Sequence, residues 1–554
     1  MSIIDALNNN TPITTEVWAQ ETAKEAAKAI SSYQESAVSS AMSAASDSTT
    51  FSPQAIIAAA PYISGEHSET LSATTADGTI ATVAKRTSEN SEAGQVYTVN
   101  ISNAQGGGFS LDFTGDVSIS KTADGGYAVY YAETDLTHLL AADGSISQIQ
   151  GHVSDENTDS IIVSTSGESV KTGNGNNTVF VYGDNATVDG GSGNDVVVLN
   201  NGISGVTVNT GDGNDTVLGS GAVNDATINV GSGNNRIEIW NINNGAITGG
   251  DGNNFIQSAS LSDTSVTLGN GFNALDSAYV KGNSTISLGD GQNYAQILMV
   301  ADQSSIQVGD GNNTLMVGKL TDESSLFLGN GNNSLTIISA AKDNSTVALG
   351  NGDNEITGGA ISGNASIQVG NGNNAIQTRV SDDASLTIGD GDNTIHARGM
   401  TGGSVTIGNG NNVVTMGDMS GNASISFGDG NNSLMMGSMS GHSSVTFGDG
   451  NNRMNMADML DFSSIIMGNG NNILSGVKVT DFAFIQMGDG NNGLNFGSFS
   501  GNATLQLGSG MNTAYLGDVS GNVTINVGSN TNISGYVNGE LRSGLRLTEL
   551  FKPK

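Results

Sequence analysis

Gly-Asp-Gly-Asn-Asn occupies residues 309–313, and a close copy of it returns about every twenty residues. Taking the first Gly of each, the copies begin at Gly173, Gly191, Gly211, Gly231 and Gly250 and continue to Gly528, in steps of 18 to 21 residues. The nineteen copies cover about two-thirds of the chain. A catalytic loop has no use for so many repetitions. A stack of equivalent coils does, because each repeat covers the apolar residues of the one before it.

One unit shows how. After Gly309–Asn313 come Thr314, Leu315, Met316 and Val317, then a polar turn through Thr321–Ser324, then Leu326, Phe327 and Leu328. Leu315 and Val317 fall on one side of an alternating segment, as Leu326 and Leu328 do in the other. Alternation with period two marks short strands, each too short to stand alone. The spacing predicts a mainly β chain: a parallel β-solenoid, or β-roll, of about 20-residue coils with two strands and two turns each. At a strand separation of about 4.8 Å, nineteen coils make a rod about 90 Å long. Glycines in the turn allow positive φ and close approach of successive backbones. A run of methionines (Met416, Met419, Met435, Met436, Met439, Met454, Met456 and Met459) reads as adaptable filler of a narrow interior. The second turn often reads Ser-Gly-Asn-Ala-Ser, as at 362–366 and 420–424. Asn and Gly tolerate left-handed conformations there, so the Asn-x-Ser pattern follows from turn chemistry.

The flanks differ. Residues 1–50 are Ala-rich, and 14–46 keep a helical face, so a helical N-terminal segment is expected. Residues 51–160 alternate apolar and polar residues between Asp-Gly and Gly-Gly turns, which predicts an antiparallel β-rich domain or solenoid cap. Residues 161–533 form the repeats, and 534–554 read as a C-terminal cap or secretion tail.

Composition narrows the function classes. Gly is 78 of 554 residues while Pro is only four, which excludes collagen. The formal net charge is −35, with no basic patch suited to phosphates, so no nucleic-acid partner is expected. No cysteine, no apolar run long enough to span a membrane and no classical N-terminal signal is present. Neither His-Glu-x-x-His nor Gly-x-Ser-x-Gly occurs in residues 1–160, where a catalytic domain would have to lie. The expectation is a protein that is not an enzyme.

"GGSGNDVVV" at 190–198, "TGDGNDTVL" at 210–218 and "GGDGNNFIQ" at 249–257 resemble the nonapeptide of the repeats-in-toxin, or haemolysin-type calcium-binding, family. With one glycine-rich turn per coil, the chain is similar to a one-sided, Asn-rich variant of that architecture. The resemblance implies Ca²⁺ held by loop carbonyls and carboxylates of successive turns, since calcium takes six to eight oxygens. Carried over by position, the carboxylates are Asp195 and Asp215, with Gly191, Gly193, Gly211 and Gly213 in the same loops. Elsewhere the position is Asn: Asn177, Asn235, Asn254, Asn313 and onward through Asn532. Those side chains can offer a carbonyl oxygen to calcium, or stack as an amide ladder that needs no metal. The middle loop position is Asp at Asp212, Asp251, Asp290, Asp310, Asp390, Asp429, Asp449 and Asp489. The resemblance also implies an extracellular or cell-surface location reached by type I secretion without a cleaved N-terminal signal.

The expected function is a secreted or cell-surface structural repeat protein of surface-layer, matrix or adhesin type, with calcium-assisted folding or assembly. Self-association and a cell-surface or matrix partner are expected. The alternatives are an extracellular enzyme or toxin with a calcium-binding tail, an ice-binding protein and a calcium-independent Asn-ladder filament. The outward positions Thr314, Ser334, Glu355, Ala375, Thr394, Val413, Ser433 and Arg453 are too mixed for an ice-binding rank.

Overall fold

The computed structural model describes residues 70–74, 79–87, 95–102, 108–122, 127–140, 146–151, 159–165, 167, 169–528, 530–537 and 540–544. The expected helix at 14–46 and the tail after 544 lie outside them. The described residues are strands and turns, with no helix among them. The chain divides after Thr114 into two units.

The first unit is a four-stranded antiparallel meander: Thr70–Thr74, Ile80–Thr87, Gln95–Ser102 and Gly108–Phe113. Its alternation is the one read from the sequence. Val83 pairs with Val99, and Leu71, Val83, Val99 and Ile101 are all buried.

The second unit begins with another meander, Val117–Lys121, Tyr127–Tyr131, Leu136–Leu140 and Ile146–Gln150. Its first strand also pairs antiparallel with Ser160–Ser164, which in turn pairs parallel with Thr178–Val181. The antiparallel region therefore hands its sheet directly to the first coil. At the other end Asn532–Val537 pairs antiparallel with Glu540–Gly544.

Between these ends lies the parallel solenoid. Each coil contributes a longer strand, such as Thr314–Leu320, and a four-residue strand, such as Ser325–Leu328. The short strands form one 19-stranded parallel sheet. The longer strands form the facing sheet. Registers are columnar: Leu315 lies between Ala295 and Leu335, and Leu326 between Ile306 and Val347. Leu315, Val317, Leu320, Leu326 and Leu328 all point inward and are buried, so this coil adds five apolar side chains to one continuous core that runs through the stack. A lone coil would leave those side chains and its strand edges open; the stack covers both.

Repeat lengths vary, yet the columns stay in phase. The 21-residue step between Gly329 and Gly350 is absorbed by a register shift within the longer strand, between Ile337 and Ala340. A 19-residue step is taken up in the same place, between Thr378 and Val380. The Gly-rich turn and the short strand are thereby left unchanged from coil to coil.

The second turn is built on one left-handed residue, as at Asp263 (φ 52°) and Asp461 (φ 57°), or on two in succession, as at Asp322 (φ 55°) and Glu323 (φ 61°), or Gly363 (φ 58°) and Asn364 (φ 61°). That geometry accounts for the Asp, Asn and Gly enrichment there. In three later coils the exposed turn position is aromatic, and His442, Phe462 and Phe482 stack at centroid separations of 5.1 and 4.9 Å. Within the core, Phe427 stacks on Phe447. The methionine column is inward with one exception: Met435 is 54% exposed while Met436 is buried. The longer strand alternates, and two adjacent methionines cannot both face inward.

Candidate metal centre at the start of an amide ladder

The last residue of the Gly-rich turn immediately precedes the longer strand, and its side chain turns inward. This places one polar group per coil in a single buried column: Asn177, Asp195, Asp215, Asn235, Asn254 and so on to Asn512. Buried polar groups must find partners. From Asn235 to Asn512 the column supplies its own. Each Nδ2 donates to Oδ1 of the next Asn at 2.8–3.2 Å. In Asn374, for instance, Nδ2 also donates to the carbonyls of Gly370 (3.1 Å) and Gly372 (3.0 Å), and the backbone N–H donates to Asn393 Oδ1 (3.1 Å). An amide carries donors and an acceptor on one small group, so it can serve all of these. The ladder ends where Asn512 Nδ2 donates to Thr531 Oγ1 at 3.3 Å. Its last member is therefore Thr531 and not Asn532, which opens the following strand opposite Thr513.

Two further ladders run along the exposed side of the same turn. From Asp251 to Asp489 the middle residue of the loop accepts the backbone N–H of the next coil, as Asp290 Oδ1 does from Asp310 (2.8 Å) and Asp310 Oδ1 from Asn330 (2.7 Å). The next outward position repeats this, as Asn312 Oδ1 does for Asn332 (2.8 Å). Glycine between them is required by the stack. Gly311 has φ 137°, and a Cβ there would strike the Gly291 carbonyl.

At Asp195 and Asp215 the inner column changes character. Asp195 Oδ1 accepts the Asn177 backbone N–H (2.7 Å), and Asp215 Oδ1 accepts that of Asp195 (2.9 Å). The column continues on both sides: Asn177 Oδ1 accepts from Ser160 N–H (3.1 Å) and its Nδ2 donates to Gly175 (2.7 Å), while Asn235 Oδ1 accepts from Asp215 N–H (2.9 Å). Oδ1 thus plays the same part in Asp as in Asn. The second atom does not. Where Asn presents an NH₂ to two glycine carbonyls, Asp presents another oxygen; the equivalent carbonyls are those of Gly191 and Gly193 for Asp195, and Gly211 and Gly213 for Asp215.

Asp215 Oδ2 is rescued by the Thr210 hydroxyl at 2.5 Å. Asp195 has Gly190 where Thr210 would stand, and no hydrogen-bond donor reaches its buried Oδ2. Burial pushes the Asp195 carboxyl up to about 7, reinforced by the neighbouring Asp215 charge and opposed by the Asn177 N–H. Burial likewise raises Asp215 to about 6, opposed by Thr210 and the Asp195 N–H.

An orphaned, buried carboxylate oxygen in a column of carbonyl and carboxylate oxygens suits the chemistry of a hard cation, which is held by oxygens alone. The residues singled out from the sequence are brought together by adjacent coils. Among the described residues no group of three or more His, Cys, Asp or Glu side chains is assembled for a metal, so carbonyls would have to complete the shell. Gly191 (φ 88°), Gly193 (φ 131°) and Gly211 (φ 91°) hold left-handed backbone that keeps those carbonyls close between coils. Thr210 and Gly190 were not singled out from the sequence. The signal that distinguishes them is the residue five before the column position, which decides whether the second carboxylate oxygen has a donor. No family model, no curated protein and no solved structure matches this chain.

Proposed function

We propose that this protein is a non-catalytic structural rod of the cell surface or extracellular matrix, in which calcium assists folding at the first coils. The observation that carries the reading is the uninterrupted column from Asn177 to Thr531. It gives the interior of some nineteen coils to one core and one polar column, which satisfies itself from Asn235 to Asn512, an arrangement suited to length and stiffness. The acidic surface supports an environment rich in divalent cations, which would relieve its self-repulsion.

Calcium in this reading acts locally. From Asn235 onward the amide ladder satisfies its own donors and acceptors, so the long part of the rod stands without metal. Only Asp195 and Asp215 replace amide donors by oxygens, and there a cation would supply the positive charge that the missing NH₂ groups do not. The carboxylates and glycine carbonyls would hold it, and its role would be to join the first coils to the rest.

Negative-stain microscopy with and without calcium, paired with fractionation of the native cells, tests the proposal. Rods about 90 Å long in both conditions, recovered with the surface or secreted fraction, are expected. Globular particles, or turnover on hydrolase panels abolished by one point substitution, would replace it by the enzyme reading.

A further inference from the structure

The outer face of the 19-stranded short-strand sheet has a composition unlike the rest of the chain. Its first two strands carry the ion pair Lys171–Asp189. From Thr207–Asn209 to Thr524–Val527 each strand shows two outward positions, and none of them is charged. In the first rank every position bears a hydroxyl except Ala246 and Phe484. In the second rank every position is Ser, Thr, Asn or Gln except Phe327, Ala348 and Ile466. In a chain of net charge −35 this is a segregated surface. It is about 80 Å long and about 13 Å wide, from the strand spacing and the rise per residue. Neighbouring hydroxyls sit within reach of each other: Ser325 and Ser305 at 3.0 Å, Ser385 and Ser366 at 3.1 Å, Thr285 and Ser265 at 3.3 Å. The mixed outward positions of the longer strands, which argue against an ice-binding rank, belong to the opposite sheet.

Both long edges of this face are acidic. Asp225, Asp263, Asp302 and Asp322 stand in the turn before the short strand, and Asp290, Asp310, Asp429 and Asp449 in the turn after it. Near the start of the rod a groove of about 360 Å³ opens along the first edge, lined by the hydroxyls of Thr227, Ser265 and Thr285, the amides of Asn244 and Asn283, and Asp263.

We propose that this face docks a neutral polysaccharide chain along the rod axis. The surface repeats one strand at a time, so it fits a ligand that repeats too. Hydroxyls and amides both donate and accept, as the hydroxyls of a sugar polymer require. Phe327, 40% exposed, offers a flat apolar patch for a pyranose face. The acidic edges repel nucleic acid, uronate polymers and a second copy of the same face. Gln307, Gln368, Phe327 and Ile466 break the uniform rank that an ice lattice would need. A protein partner would want a cluster of Trp, Tyr or Arg anchors, and the outward positions of this face carry none of the three.

The inference rests on the surface-rod reading and names the partner class of that rod. The test is co-sedimentation of the full chain with insoluble cellulose, chitin, β-1,3-glucan and mannan, beside calcium alginate gel as an anionic control. At least one neutral polymer should pellet the protein, with little dependence on salt. The double substitution T387E/S426E, on outward positions of the face, should reduce the bound fraction at least tenfold. T387V/T406V, which keeps strand propensity and removes two hydroxyls, should reduce it severalfold. Q377E, on the opposite sheet, should leave it unchanged, and circular dichroism should show all variants folded. Failure to pellet with any neutral polymer, equal loss with Q377E, preference for alginate, or ice-recrystallisation inhibition in place of sugar binding would each overturn the proposal. Rods seen by microscopy without polysaccharide binding would sink this inference alone; loss of the rod itself would sink the reading beneath it.

Discussion

Asp195 lies one coil before Asp215, and its backbone N–H donates to Asp215 Oδ1 at 2.9 Å, so two buried carboxylates share a column otherwise built of amides. Burial holds them at about 7 and about 6, above the ordinary 3.8. A carboxyl whose pKa is raised on folding binds its proton more tightly in the folded chain. Its contribution to stability is fully present below about pH 4 and is lost progressively, at about 1.4 kcal/mol per pH unit, until pH reaches about 6 for Asp215 and about 7 for Asp195. In metal-free buffer, hydrogen exchange at the coils spanning 177–235 is expected to be faster at pH 8 than at pH 5, after correction for the intrinsic rate. The change should be absent in D195N/D215N.

Calcium should act on the same coils. The parent chain at pH 8 is expected to gain protection around 177–235 on addition of millimolar calcium, while coils beyond Asn254 change little. D195N/D215N should lose that response and its tightest calcium sites in isothermal titration, yet fold as well as the parent, because Asn restores the amide ladder. Equal calcium binding by parent and double mutant would remove these two residues from the site.

Inside the ladder the prediction reverses. Asn374→Ala strands the Gly370 and Gly372 carbonyls and removes the acceptor of Asn354 Nδ2. Each buried group left without a partner costs about 1–3 kcal/mol. Asn374→Asp keeps the size but places an oxygen against those carbonyls, and should create a pH dependence like that of Asp195 in the middle of the rod. Ser366→Ala, on the solvent face, is the control and should change stability by about 0.5 kcal/mol or less. Because a solenoid opens locally, site-resolved hydrogen exchange is a sounder readout than a single melting temperature.

The fold was legible because it is repetitive: the Leu315/Val317 and Leu326/Leu328 alternation recurs in so many coils that chance agreement is excluded, and those side chains are buried. The ladder was legible as one of two uses of the Asn column. What decides between amide and cation at a given coil is not the column residue alone. Thr210, five residues before Asp215, donates to its second oxygen; Gly190, at the matching place before Asp195, cannot. Such a pair is brought together by the turn, and a nonapeptide pattern does not record it. The end of the ladder was misplaced by one residue for a related reason. The last turn, Gly528–Asn532, keeps the spacing of the repeat, but strand pairing sets Thr531 beside Asn512 and Asn532 beside Thr513. The polar outer face was missed because its residues are individually unremarkable, and only the sheet gathers them.

The final prediction concerns the C-terminal end of the stack. Asn532–Val537 pairs parallel with Thr513–Val519 on one side and antiparallel with Glu540–Gly544 on the other. A strand that loses its outer neighbour exposes a row of unpaired N–H and C=O groups, which pair readily with another chain. Here the exposed strand would sit on a long, regular, already stacked sheet, the template most favourable to further stacking. A chain ending at Val537 is therefore expected to associate end to end, with light scattering that rises with concentration and particles longer than one rod by microscopy. The acidic surface opposes lateral contact, so growth should be along the axis and should quicken as salt screens the charge. Restoring residues 538–554 should return single rods. Single rods from the truncated chain at every salt concentration would show that the antiparallel pair at this end is not what limits the length of the rod.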